Sequence, residues 1–341
     1  MGKNRTKTPG EGYMHLPAHP SYSGSTCALI VDTHTHLLST FASYREKYPT
    51  SKYETVFDFV RGIYCSQTPP PDIQAVSRHK VGAIIDVWCE APIRKDWKEL
   101  ADSALTLEDR TNKWGGIEYY FVIGVHPHEA KLFNDAVEAD ILEALKHPRC
   151  VGYGEIGLDY HYNNSPPEVQ RAALIRQLRT AVRLGKPLTI HTREADEDIE
   201  RILKAEVPKN HLIHVHCFTD SVQLAANLLD YFPNLYIGVT GVITYSTNLN
   251  TSAVMRHLVG SGSLSPLRIL LETDAPYMVP ANLTAQTLSL KSGQKLPLSH
   301  SGMIPWTAEF VANVVGGEPE GWDAGRVLEV SRANARAVYG V

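Results

Sequence analysis

The chain has 341 residues, which is enough for one large α/β domain or for two smaller ones. With 43% hydrophobic and 21% charged residues, its composition is that of a folded globular protein and excludes a disordered or fibrous one. The formal net charge of -4 excludes a broadly basic surface. Any contact with DNA or RNA must therefore be made at a local site.

Cysteine usage and the N-terminal residues bear on the compartment. The cysteines stand at positions 27, 65, 89, 150 and 217, without CxxC spacing. This odd, scattered set disfavours a disulfide framework and favours a reducing compartment, which predicts the cytoplasm and allows the nucleus in addition. Residues 1–26 are polar, rich in Pro and Gly and without a signal-peptide core, and they are predicted to form a flexible tail. No apolar run approaches the roughly 18 residues of a membrane span.

Eight short apolar runs follow along the chain, and most of them are separated by segments with helical periodicity. The runs cover 28–32, 82–87, 120–124, 150–154, 187–190, 212–215, 235–239 and 268–272. Apolar residues at i, i+4 and i+8 predict a helix over 168–184, and helices are also predicted over 198–205, 305–315 and 322–338. This alternation predicts a (β/α)8 TIM barrel, with a doubly wound open sheet as the alternative.

The first run ends in VDTHTHLL, which carries His34 and His36. On an extended backbone, side chains at i and i+2 point to the same side, so both imidazoles project into one volume. Imidazole is a good ligand for divalent transition metals, and the pair is a candidate half of a metal site. An isolated HxH is more often an exposed strand end, so the interpretation depends on the rest of the chain.

Side chains of metal-ligand type recur directly after five further runs, where barrel enzymes build their active sites. They are His126 and His128 in GVHPHE, Glu155 in GYGEIGLDY, His191 in PLTIHTR, His216 in LIHVHCF and Asp274 in LLETDAPY. Each alone is weak evidence, but chance does not explain their common position. Clustered imidazoles and carboxylates need cations to offset their desolvation, which predicts a pair of metal ions. A single Glu between two histidine-bearing halves is suited to bridge them.

In this order, HxH, GVHPHE, GEIGLDYH, KPLTIHTREADED, HCF and LLETDAPY resemble the signature of the TatD-like metal-dependent deoxyribonucleases of the amidohydrolase superfamily. The resemblance covers residues 28–280 and the closing helices. It implies one metallohydrolase barrel over residues 27–341 with two divalent ions per chain, Mg, Mn or Zn. The implied ligands are His34, His36 and Asp274 for one ion, His191 and His216 for the other, and Glu155 as the bridge.

The same resemblance implies further roles. Asp274 and Glu155 are the catalytic carboxylates, and Asp274 accepts the proton of the attacking water. His126 and Arg193 hold a substrate phosphate. For Glu272, orientation of a ligand and a structural salt bridge stay equally open.

Two stretches depart from the family pattern. Residues 37–80, an irregular insertion with one or two helices, are longer than usual and are predicted to form a lid or wall over the site. The loop over 278–305 lacks the family's Arg, and Lys291, Lys295 and His300 are candidates to replace it. We expect a protein partner, if there is one, to bind through 37–80 and 281–304.

The predicted function is metal-dependent hydrolysis of phosphodiester bonds. DNA ends or single-stranded nucleic acid are the expected substrates, because a chain with little basic surface can grip one or two phosphates locally. Two alternatives stay open. The same site on the same fold can hydrolyse a small amide, lactone or phosphoester, or the barrel can serve as a protein-interaction module.

Overall fold

A computed structural model describes residues 7–17, 19, 29–65, 81–260, 267–283, 287–316 and 321–341. Its eight parallel strands form one sheet in which each strand pairs with the next along the chain. They are β1 (Ile30–Thr35), β2 (Val81–Trp88), β3 (Glu118–Ile123), β4 (Cys150–Asp159), β5 (Leu188–Arg193), β6 (Ile213–Val215), β7 (Leu235–Val239) and β8 (Ile269–Leu271). Every predicted run overlaps a strand. The predicted barrel is confirmed, since a doubly wound sheet would reverse its strand order.

The last strand returns to the first. The Thr33 hydroxyl donates to the Leu271 carbonyl at 3.1 Å, and the Asp274 amide donates to the His34 carbonyl at 2.9 Å. These bonds hold the carboxyl ends of β1 and β8 side by side. The predicted metal-ligand side chains of the two ends therefore share one mouth of the barrel.

Helices connect the strands and cover the barrel. In the described chain they are α1 (Leu37–Lys47), α2 (Val56–Phe59), α3 (Asp96–Asp102), α4 (Leu107–Trp114), α5 (Asp135–Ala144), α6 (Pro167–Arg183), α7 (Asp196–Glu206), α8 (Val222–Tyr231), α9 (Asn250–Gly260), α10 (Ile304–Val315) and α11 (Ala324–Tyr339). The predicted stripe on α6 faces inward, with Leu174 and Leu178 buried. None of the helices in these ranges has the length and apolarity that crossing a bilayer requires.

The insertion after β1 carries α1 and α2, as predicted, and residues 66–80 of it lie outside the described residues. Tyr44 of α1 is fully buried and donates a hydrogen bond to the Glu11 carboxylate. Glu11 begins a short 3-10 helix, Glu11–Met14, which ends on the fully buried Met14. Of the predicted tail, residues 1–6, 18 and 20–26 lie outside the described residues, and residues 7–17 contact the insertion and the loop near residue 300.

Candidate metal centre

His34 and His36 lie at the carboxyl end of β1, directly beside Asp274 after β8. Besides the Asp274 amide bond, the amide of His36 donates to the carbonyl of the residue following Asp274 at 3.0 Å. Behind them the fully buried Asp32 carboxylate accepts hydrogen bonds from the Thr273 amide at 3.0 Å and the Thr273 hydroxyl at 2.7 Å. The histidine pair and Asp274 are thus fixed relative to each other by main-chain bonds.

We call His34, His36 and Asp274 the first ligand group. Asp274 Oδ1 is 3.2 Å from His36 Nε2 and 3.7 Å from His34 Nε2. The Glu155 carboxylate on β4 approaches this group with Oε2, which is 3.3 Å from His34 Nε2 and 3.9 Å from His36 Nε2. Two imidazole nitrogens and two carboxylate oxygens therefore face one another.

His191 and His216, at the ends of β5 and β6, form the second ligand group. Glu155 Oε1 is 2.8 Å from both His191 Nδ1 and His216 Nε2, and these two nitrogens are 3.0 Å apart. His126 borders the group with its Nε2 3.3 Å from the same oxygen. All six predicted ligand residues thus lie together, and the two oxygens of Glu155 face the two groups separately.

The close approach of β4 to β5 depends on a glycine. A Cβ atom at Gly157 would lie 1.9 Å from the backbone carbonyl oxygen of His191, so a larger residue would push the strands apart. Gly157 pairs with His191 in the sheet, two residues after Glu155. The glycine in GEIGLD therefore allows the Glu155 carboxylate and the second ligand group to meet.

Burial and charge act in opposite directions on the titration of these groups. Burial raises the pKa of Glu155, but the imidazoles around it outweigh burial and hold its pKa well below the usual range. Burial lowers the pKa of His36 and of His191, but their carboxylate partners raise both to about 9. Burial lowers the pKa of His34 to about 4. The Glu155 carboxylate is therefore ionised and His34 is neutral, as a ligand must be, whereas His36 and His191 would have to release a proton to bind a metal ion.

The donor set fits divalent metal ions. Single ligand atoms of His34, His36 and Glu155 lie within 4.8 Å of one another, and so do those of His126, Glu155 and His191. Both ring nitrogens of His34 and Nδ1 of His216 are buried without a hydrogen-bond partner among the described residues. Buried polar atoms normally have partners, and mixed imidazole and carboxylate donors are the ligands that Zn²⁺, Mn²⁺ and Fe²⁺ accept.

Asp159 contributes a contact that the sequence did not predict. Its Oδ2 is 3.2 Å from His191 Nε2 and 3.0 Å from His128 Nε2. A histidine that binds a metal commonly donates its other N–H to a carboxylate, which fixes the tautomer and the ring orientation. The signal was available, because Asp159 follows Glu155 by four residues on one strand and both side chains point to the same side.

A groove of about 580 Å³ opens beside the second ligand group. Arg193 lines it, with its guanidinium 5.1 Å from the centre of the Tyr162 ring. The loop after β7 and Met278 line another part of the groove. Leu249 in that loop is 72% exposed and Tyr277, next to Met278, is 62% exposed. Such a volume is in the range of pockets that hold small ligands.

The candidates to replace the missing Arg do not line this groove. Lys291 and Lys295 are exposed on the loop that leads to α10. His300 is buried, and its Nε2 is 3.1 Å from the Met14 carbonyl oxygen. The prediction that His300 takes the place of the Arg is therefore wrong, because that imidazole is already bonded to the N-terminal segment.

A (β/α)8 barrel whose strand ends gather imidazoles on both sides of one carboxylate is the architecture of a metal-dependent hydrolase. Residues 31–340 match the family model described as TatD related DNase. The chain therefore belongs to the TatD-related DNase family.

Individual relatives agree with this assignment. The chain is 37% identical to the human 3'-5' RNA nuclease TATDN2 over 83% of its own length, but it spans only 32% of that relative. It is 30% identical to the 3'-5' ssDNA/RNA exonuclease TatD of Escherichia coli over 64% of this chain and 76% of that one. The structure of a TatD-family hydrolase from Entamoeba histolytica has a TM-score of 0.67 at 20% identity, covers 92% of this chain and 99% of its own, and shows the shared fold.

Proposed function

We propose that residues 27–341 form a two-metal 3'-5' exonuclease that acts on single-stranded DNA or RNA. The observation that carries the proposal is the position of Glu155, whose Oε2 faces the first ligand group while Oε1 faces the second. Relatives named as a 3'-5' RNA nuclease and as a 3'-5' ssDNA/RNA exonuclease support the choice of substrate.

Each ligand group would hold one divalent ion, and Glu155 would contact both. When bound, two such ions lower the pKa of water and neutralise charge on phosphate oxygens. Asp274 is the proposed acceptor of the proton from the attacking water. Burial raises its pKa, but His36 and His34 outweigh burial and hold it below the usual range, so the carboxylate is ionised. As water adds to phosphorus and the bond to the leaving oxygen breaks, that proton is available for the leaving oxygen.

Substrate phosphate would be held by His126 and Arg193. His126 borders the second ligand group, and Arg193 reaches the groove from the end of β5. An arginine can donate two parallel hydrogen bonds to a phosphate, which fixes its orientation as well as its charge. With a net charge of -4, the chain depends on such local contacts rather than on a wide basic surface.

Exposed apolar side chains around the mouth support a single-stranded substrate. Tyr162 follows β4, Leu249 follows β7 and Tyr277 follows β8, and they are 48%, 72% and 62% exposed. Unpaired bases stack on aromatic side chains such as Tyr162 and Tyr277 with about 1–3 kcal/mol per base, whereas the bases of a duplex are already stacked on each other. We therefore expect single strands and frayed 3' ends to be cut in preference to blunt duplex.

The test compares Glu155→Gln with Glu118→Gln as a matched control. Glu118 pairs with Arg110 and Arg149 at the start of β3, at the opposite end of the barrel. With Mn²⁺ or Mg²⁺ present, the wild type and the control should shorten a 5'-labelled single-stranded oligonucleotide stepwise from its 3' end. The Glu155→Gln variant should lose at least about 100-fold in rate, as expected for removal of a key electrostatic contact.

The same preparation should be offered a panel of small amides, lactones and phosphoesters. Turnover of one of these with no cleavage of the oligonucleotide would contradict the nuclease assignment while leaving a metal-dependent hydrolase. Full nuclease activity of Glu155→Gln would contradict the bridging role.

A further inference from the structure

A chain of buried polar side chains runs below the metal centre, from α11 towards β8. The hydroxyl of Tyr339 on α11 lies 2.7 Å from Thr189 Oγ1 and 2.9 Å from His214 Nδ1. His214 Nε2 lies 2.9 Å from Glu272 Oε2, and both of these side chains are completely buried. The burial of these polar groups costs desolvation free energy, so an interaction that compensates this cost is expected.

Glu272 lies close to one histidine of each ligand group. A carboxylate oxygen of Glu272, a ring nitrogen of His34 and a ring nitrogen of His216 all lie within 4.8 Å of one another. The two imidazoles are stacked, with ring centres 4.0 Å apart and planes at 8°. Glu272 Oε1 also accepts a hydrogen bond of 2.5 Å from the Cys217 amide, next to His216. One carboxylate thus adjoins both halves of the centre.

Several donor and acceptor atoms around Glu272 have no hydrogen-bond partner in the described part of the chain. Nδ1 of His34, Nδ1 of His216 and Oε2 of Glu272 are buried without a hydrogen-bond partner among the described residues. The Nε2 atoms of both histidines face Glu155, which leaves Nδ1 as the second nitrogen of each ring. A carboxylate has about four acceptor positions, so Glu272 can accept from both rings and keep its bond from Cys217.

We propose that Glu272 is a positioning residue shared by the two metal ions. It accepts the Nδ1–H of His34 from the first ligand group and of His216 from the second, and its Oε2 lies beside His214, whose other ring nitrogen contacts the Tyr339 hydroxyl. Histidines that bind metals almost always donate their second N–H in this way, and loss of the acceptor typically weakens metal binding. The inference rests on the proposed two-metal centre and extends it to residues that touch no ion.

The backbone of β7 at Gly238 lies directly behind Glu272 and leaves its side chain little room to move. A Cβ atom at Gly238 would lie 2.4 Å from Glu272 Oε1, 2.6 Å from His214 Nε2 and 2.7 Å from the His216 Cα. Glu272 and His214 therefore pack directly against the backbone of β7 at Gly238. A purely structural salt bridge would need only His214, whereas the proximity of both ligand histidines indicates the positioning role.

The test measures the two Zn²⁺ affinities of the metal-free protein. Zn²⁺ is titrated into the protein in a calorimeter, with a competing chelator present. The variants are Glu272→Gln, which keeps the shape, Tyr339→Phe, which removes one hydroxyl, and Glu118→Gln as the control. In Glu272→Gln both Zn²⁺ affinities should fall by about 10–100-fold, while the control keeps both. Tyr339→Phe should weaken both ions in the same direction but less. The melting temperature of each metal-free variant records any loss of fold separately.

Several outcomes would overturn the inference. It fails if Glu272→Gln melts earlier but binds Zn²⁺ normally, if only one of the two affinities changes, or if the wild type binds no Zn²⁺. If Glu272→Gln does not fold, Tyr339→Phe decides alone, and unchanged affinities there refute the proposal. A normal result here with no cleavage of oligonucleotides would leave the positioning role intact and remove only the proposed nuclease function.

Discussion

Removal of the metal ions should produce a protein whose stability falls as the pH rises from about 7 to 9. The cause is the pair His36 and His191. Burial lowers the pKa of each imidazole, but Asp274 and Asp159 respectively, together with Glu155, outweigh burial and raise it from 6.5 to about 9. A group with a raised folded-state pKa stabilises the fold fully below its unfolded pKa and loses that contribution as the pH passes the folded pKa.

The size of the effect follows from these values. A pKa raised from 6.5 to about 9 corresponds to about 3 kcal/mol of stability for one histidine. The side chains of His36 and His191 are only 20% and 16% exposed, so solvent screens them little. Since both contact Glu155, their contributions are not additive, and we expect a total fall of about 3–5 kcal/mol.

Other buried groups in this region change their contribution at lower pH. Burial lowers the pKa of His34 and of His126 to about 4, so stability from these groups rises with pH only up to about 6.5. Burial raises the pKa of Asp32 and of Glu272 to about 7, and their stabilising contribution is lost by about that pH. Burial lowers the pKa of His216, but Glu155 and Glu272 outweigh burial and raise it, so His216 adds a fall in the same direction. The interval from pH 7 to 9 therefore reports on His36, His191 and His216.

The measurement is urea unfolding followed by circular dichroism between pH 6 and 9, in a metal chelator. Asp274→Asn, which removes the main partner of His36, should reduce the fall by about half. With saturating Zn²⁺ the fall between pH 7 and 9 should disappear, because metal-bound histidines carry no proton that rising pH could remove. A metal-free wild type whose stability is constant or rises over this interval would refute the reasoning.

Three further predictions concern single side chains. Arg193→Gln should raise KM for a single-stranded oligonucleotide by about tenfold or more, because a charge-assisted hydrogen bond is worth about 1.5–3 kcal/mol. Steady-state kinetics will measure the change in KM, with Arg193→Lys as the control that keeps the charge. Tyr277→Ala should raise KM for single strands about fivefold or more without changing Zn²⁺ affinity, through lost stacking; an unchanged KM would exclude Tyr277 from the substrate path. Gly238→Ala should lower the free energy of unfolding by about 1–3 kcal/mol, measured in urea, because the added methyl group has no space.

The barrel and the clustering of the candidate ligand residues could be predicted from the sequence, because both depend on short-range patterns. An apolar run indicates a strand, and a candidate ligand such as His191 or His216 stands directly after its run. The barrel topology then brings the ends of all strands to one mouth, whatever their separation in the chain. Glu155 was recognised for the same reason, although no pattern states which of its oxygens faces which group.

Contacts between segments far apart in the chain could not be predicted. His300 is separated from Met14 by 286 positions, and its burial follows from the packing of the N-terminal segment on that loop. Likewise, Tyr339 reaches His214 from the last helix, 125 positions away, which left the role of Glu272 undecided between two possibilities. Side-chain packing of this kind depends on the distances between elements, which the hydrophobic period does not specify.

Two acidic residues link the ligand groups at different depths, and this has a consequence for metal binding. Glu155 lies between His34 and His216 at the mouth, while Glu272 lies near the same two histidines further into the barrel. If each group holds one ion as proposed, a change at either carboxylate should weaken the binding of both ions together. Sequential Zn²⁺ affinities of Glu155→Gln and Glu272→Gln, measured side by side, test this coupling, and a loss confined to one ion in both variants would contradict it.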